Sequence, residues 1–112
     1  MLDLVAAIML HISLKPRETT PTAVRAYYER LATETYGERG WICLDELIDR
    51  ESRWRLDAAN PNSSARGLWQ LLRMPEGLDA HQQWLRGSRY LATRYDSQPC
   101  KALAHHHRKG WY

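Results

Sequence analysis

The sequence predicts a mainly α, small single-domain fold. Its 112 residues suffice for one modest core. Apolar residues recur at three- and four-residue spacings in several segments, and no alternating apolar–polar run reaches strand length. Apolar residues make up 44% of the chain, with five Trp, six Tyr and no Phe, a globular rather than a disordered composition.

The elements follow in order. Residues 1–14 are mostly apolar, among them Leu2, Leu4, Val5, Ile8 and Leu10. This run is too short to span a bilayer, where about 20 residues are needed. It begins without basic residues, carries Asp3 and offers no small-residue cleavage site before Lys15, which argues against a signal peptide. A docked helix or an interfacial anchor is expected instead. Residues 1–20 therefore form an N-terminal apolar segment and connector, and 21–112 the domain.

Thr20 should cap, and Pro21 open, a helix running through Val24, Tyr27, Tyr28 and Leu31 to a stop near Gly37. Trp41 to Trp54 reads as a second, amphipathic helix, with Leu44, Leu47, Ile48 and Trp54 on one stripe. Residues 57–66 are a loop rich in turn formers. Gly67 to Leu72 is a short apolar stretch with one amide, Gln70, inside it, and Pro75 to Gly77 makes another break. Trp84, Ser88, Leu91 and Tyr95 mark a further helix, which ends over Asp96 to Pro99. Lys101 to Lys109 forms a last short one before Gly110-Trp111-Tyr112.

Glu51 is the misplaced residue. It lies three or four positions from Leu47, Ile48 and Trp54, so it shares their stripe while Asp45, Asp49 and Arg53 point elsewhere. A carboxyl against Leu and Trp is poorly solvated, which raises its pKa and suits a general acid for sugar chemistry. A structural acid bonded to buried backbone or to Arg is the alternative. Asp45, Asp49, Asp57 and Asp79 are the candidates for a second carboxylate. Asp45 and Asp49 fall on the solvated side of the helix. Asp57 would define an inverting hydrolase if it faced Glu51 across roughly 6.5–9.5 Å.

The formal charge of +3 and pI near 9.1 favour anionic partners: nucleic acid, lipid headgroups or a bacterial wall. No long basic run, nucleic-acid signature or base-reading helix face occurs, so nucleic acid is not expected as the partner. Cys43 and Cys100 have neither metal-ligand nor redox-motif spacing. A disulfide between them would remove about 4 kcal/mol of denatured-state freedom and would place the protein outside the reducing cytosol. Two free buried thiols are the alternative. Three adjacent histidines, 105 to 107, face different ways on a helix, so neither a metal nor another cofactor is expected.

Several segments, taken in order, resemble the lysozyme-like lytic transglycosylases. Glu51-Ser52-Arg53-Trp54 is similar to their Glu-Ser-x-aromatic helix end. Ala65-Arg66-Gly67-Leu68-Trp69-Gln70-Leu71 is similar to their Gly-Leu-Met-Gln segment, with Met74-Pro75 beyond it. Ala104-His105-His106 stands where those enzymes carry Ala-Tyr-Asn-Ala-Gly, a departure. The compact actinobacterial and phage branch is closer still. It shares Trp41-Ile42-Cys43-Leu44, Asn60-Pro61-Asn62-Ser63-Ser64, Pro99-Cys100 leading into Ala102 and His105, and Gly110-Trp111-Tyr112. The likeness covers about residues 25 to 112.

This resemblance implies a lysozyme-like helical fold and cleavage of the β-1,4 bond between N-acetylmuramic acid and N-acetylglucosamine in peptidoglycan. Glu51 would be the sole catalytic acid/base, with a 1,6-anhydro product. Gln70 would contact an N-acetyl or hydroxyl group, or else satisfy backbone as a buried amide. Gly67 would let backbone approach the sugar or Glu51. Ser64 would hydrogen-bond Glu51, unless it only shapes its turn. Trp69 would line the cleft or pack in the core. A neutral His105, in place of the family's tyrosine, would donate to Glu51. The implied partners are glycan strands and, for a phage virion or tail enzyme, other virion proteins; a secreted wall enzyme is the other setting. The rivals are a hydrolytic lysozyme, a non-catalytic wall-binding or structural virion module, and a small helical DNA-binding domain.

Overall fold

A computed structural model describes residues 15–112; the apolar run at 1–14, with its expected docked helix or anchor, lies outside the described residues. Helix α1 (Pro21–Ser52) starts as its first residues dictate. The Ala23 N–H donates to Thr20 Oγ1 at 3.3 Å, and Pro21 occupies the first turn. The two helices expected on either side of Gly37 are the arms of this one element. Gly37 takes φ 79 and ψ 169, a conformation essentially confined to glycine, and breaks the helical path there.

The second arm buries Leu44, Leu47 and Ile48 completely. It ends at Ser52, two residues short of the expected Trp54, because Arg53 turns left-handed (φ 54) and caps Asp49. Trp54 also has positive φ (62), so its ring swings back beneath the helix, where Nε1 donates to Asp45 Oδ1 at 2.9 Å. Asp45 also accepts two hydrogen bonds from Arg25, at 2.9 and 2.7 Å. It is thus a tie between the arms of α1, not the solvated acid its helical position suggests.

Helices α2 (Ala80–Tyr95) and α3 (Pro99–Lys109) complete the fold; among the described residues there are otherwise only isolated bridges joining Ala59, Arg66 and Leu71. The protein is a small, mainly α single domain. Asp79 opens α2 with a reciprocal capping box to Gln82. Trp84 is the hub of the core. It stacks on Tyr28 at 4.0 Å and meets Trp54 and Trp69 at 6.4 and 5.1 Å. Helix α3 packs along α1 and touches α2 more sparingly. The Cys43–Cys100 disulfide joins α3 to α1, which settles the choice between a disulfide and free thiols. None of the described helices is long and apolar enough to cross a membrane.

The long connection between α1 and α2 is held by one side chain. Gln83, buried in the first turn of α2, accepts from Leu68 N–H at 2.8 Å and donates to the carbonyls of Leu56 and Leu78, both at 3.1 Å. A single amide thereby satisfies backbone groups that would otherwise be buried and unpaired.

Candidate active site

Glu51 sits in the last turn of α1 and lines a solvent-open cleft of about 750 Å³. Residues 60–74 of the α1–α2 connection, the outer face of α2 and the chain after α3 form the rest of the wall. Glu51 is 17% exposed, and burial pushes its pKa up to about 7. Burial raises the pKa values of Tyr90 and Tyr112, and the nearby Glu51 carboxylate acts on both in the same direction.

His106, not His105, reaches Glu51: its Nε2 lies 2.9 Å from Oε1. The reason is helical geometry. Pro99, Ala102 and Leu103 are the buried residues of α3, and position 106 continues that three-and-four spacing. His105 points about 100° away, where Nδ1 bonds the Trp111 carbonyl oxygen at 2.8 Å and the ring meets Trp111 edge-on at 4.5 Å. Burial lowers the pKa of His106, with the neighbouring Arg50 acting in the same direction.

The last residues fold back into the cleft. Gly110, left-handed with φ 79, caps α3 and turns the chain. Tyr112 then donates to the Trp69 carbonyl and accepts at its own carbonyl from Tyr90, both at 2.6 Å. Trp111 remains half exposed at the lip.

The other expected site residues separate. Gln70 lines the cleft with a left-handed backbone (φ 50). Its Nε2 donates to Ala58 and Gly67 carbonyls at 3.0 and 2.9 Å, which leaves its oxygen as the acceptor a ligand can use. Trp69 does not line the cleft: it is fully buried against Trp84 and the backbone of Gly87. Gly67 (φ 80) makes its close approach to the Gln83 amide, where a side chain would collide, and not to Glu51. Ser64 is exposed and accepts from Arg73 N–H at 2.9 Å, so it serves the loop and not the carboxyl.

Glu51 is the only side-chain carboxylate among the described residues that lines the cleft. Asp57 is exposed and borders different grooves, Asp49 is exposed, and Asp79 caps α2. No three His, Cys, Asp or Glu among the described residues are arranged to hold a metal ion. His106, Tyr90, Tyr112 and three arginines of α2 are site residues that sequence reasoning missed. His106 carried a signal in its place on the α3 stripe, and Tyr112 in the Gly110-Trp111-Tyr112 likeness.

Compared with known protein families, curated proteins and solved structures, the chain matches none.

Proposed function

We propose that the chain is a peptidoglycan-cleaving lytic transglycosylase of lysozyme-like type, with Glu51 as its general acid and base. The observation that carries this reading is a carboxyl with a pKa of about 7, the only acidic side chain among the described residues lining a solvent-open cleft of about 750 Å³. A carboxyl so placed is still substantially protonated near neutrality, as a general acid must be. The ordered likeness of Glu51-Ser52, Gly67-Leu68-Trp69-Gln70 and Gly110-Trp111-Tyr112 to that family points the same way.

In this mechanism Glu51 gives its proton to the glycosidic oxygen as the C1–O bond breaks, and the substrate's N-acetyl carbonyl stabilises the anomeric carbon. The C6 hydroxyl then attacks C1, its proton returns to Glu51, and a 1,6-anhydro ring closes. Intramolecular attack has a high effective concentration, so no second carboxylate is needed to activate water. His106 is a positioning residue, holding the carboxyl by one oxygen, and Gln70 offers its amide oxygen to a substrate N–H or hydroxyl. The disulfide suits an extracytoplasmic setting, on a phage virion or tail or secreted to the wall.

Digestion of purified sacculi, with mass analysis of the fragments, tests the reading. Anhydro-muropeptides from the unaltered protein and none from Glu51→Gln are expected. Reducing-end products would indicate a hydrolase, and sacculus binding without any release of fragments a non-catalytic wall module.

A further inference from the structure

Helix α2 carries Arg86, Arg89 and Arg94 and not one acid within its bounds. All three arginines are exposed, line the Glu51 cleft and have no carboxylate partner among the described residues. Arg86 and Arg94 lie about one turn before and after Tyr90, the cleft-wall tyrosine, and their backbones are separated by about 12 Å along the helix. Arg94 is held in place, with its guanidinium 5.4, 5.8 and 6.0 Å from the rings of Trp111, Tyr90 and Tyr95. The residues between 60 and 74 that line the cleft are uncharged, among them Asn60, Ser63, Gln70, Leu71 and Leu72.

Like charges gathered on one helix face repel one another, a cost that a bound anion removes. An uncharged sugar chain would not relieve it. Guanidinium forks match carboxylates in a bidentate geometry, and a row of them matches a ligand with several carboxylates at intervals.

We propose that Arg86, Arg89 and Arg94 form a subsite for the free carboxylates of the peptide substituents on the glycan strand, so that the chain selects peptide-bearing over bare glycan. This rests on the peptidoglycan reading above. The glycan backbone lies along the cleft past Glu51, while its peptide branches run across α2.

The test uses full-length Glu51→Gln protein, so that the polymer survives. Binding is measured by co-sedimentation with sacculi stripped of phosphate-containing polymers, and with the same glycan after amidase removal of its peptides. Peptide-bearing glycan is expected to be held roughly tenfold more tightly, given three exposed charge pairs. Adding Arg86→Gln and Arg89→Gln should reduce that ratio below about threefold, and the preference should fall with salt. Both arginines are exposed, so melting curves should show the variants folded. Equal binding to the two glycans, a ratio untouched by the arginine changes, or tighter binding to a short DNA duplex than to either glycan overturns the proposal. Failure of the enzymatic reading is separable: unaltered protein that prefers peptide-bearing glycan yet releases nothing loses the activity but keeps the subsite. Cleavage of both glycans at equal rates keeps the activity and removes the subsite.

Discussion

Nε2 of His106 lies 2.9 Å from Oε1 of Glu51, with the two side chains only 15% and 17% exposed. Burial pushes the carboxyl pKa up to about 7 and the imidazole pKa down, so both shifts favour uncharged groups. Below about pH 7 the carboxyl keeps its proton, and a neutral imidazole protonated at Nε2 donates to Oε1, which leaves the carboxyl proton on the other oxygen, free for a substrate. The Cys43–Cys100 disulfide crosses the same α1–α3 interface about two turns away. It braces the two helices whose meeting keeps Glu51 dry.

Activity should follow the Glu51 proton. Cleavage of sacculi is expected to be fastest below pH 7 and to fall about tenfold per pH unit well above it. Replacing Glu51 by Gln should cost roughly a hundredfold to ten-thousandfold. A turbidity assay from about pH 4 to about pH 9, either side of the Glu51 pKa, reads both effects, and a rate still climbing at the alkaline end would exclude Glu51 as the acid.

Stability should move the same way with pH. The folded pKa of Glu51 lies above its ordinary 4.5. Its proton therefore contributes stability in full below about 4.5, and that contribution is lost as pH rises through about 7. Relative to the unaltered protein, Glu51→Gln should gain up to about 3 kcal/mol between acid and alkaline conditions. Urea unfolding of both proteins at each end measures the difference; a gap that does not change with pH would contradict the dry carboxyl.

The two neighbouring histidines should separate. His106→Ala opens Glu51 to water, returns its pKa toward 4.5 and moves the alkaline limb of the rate profile to lower pH. His105→Ala should shift that limb less and instead loosen Trp111, whose carbonyl it holds. Matched pH profiles, with tryptophan fluorescence for the second variant, distinguish them. A larger limb shift from position 105 would reverse the assignment.

Reduction of the disulfide, or Cys43→Ala with Cys100→Ala, should lower stability by about 2–4 kcal/mol. Unreduced, unfolded protein should expose no titratable thiol. Two thiols per chain would remove the brace and the argument for an oxidising compartment together.

Adjacent glutamines at the start of α2 should differ sharply. Gln83→Leu strips partners from the Leu68 N–H and from the carbonyls of Leu56 and Leu78, at a cost of more than about 3 kcal/mol. Gln82→Leu breaks only its side of the exposed capping box, about 1 kcal/mol. Thermal melts of the two variants should reproduce that order; equal losses would show that the amide does not hold the connection.

Much of this was legible in the residues. Thr20-Pro21 announces the start of α1, Gly37 its break, and the spacing of Leu44, Leu47 and Ile48 its buried side. Glu51 could be picked out because it falls on that side. His106 is equally legible in the stripe of Pro99, Ala102 and Leu103, whereas the resemblance to the transglycosylases points to position 105. Trp69 and Gln70 are neighbours in one apolar run, and nothing local says which faces the core. A left-handed turn at Gln70 decides it, sending one ring inward and the next amide to the cleft.

Periodicity and capping residues determined the helices and the side of α1 that Glu51 shares, because those depend on neighbours within a few positions. How dry that carboxyl becomes depends on atoms brought from far along the chain. His106 arrives from α3, Tyr90 from α2 and Tyr112 from the returning end, and the arginines of α2 come to the same cleft. Desolvation and charge act through space, so only the packed structure sets them.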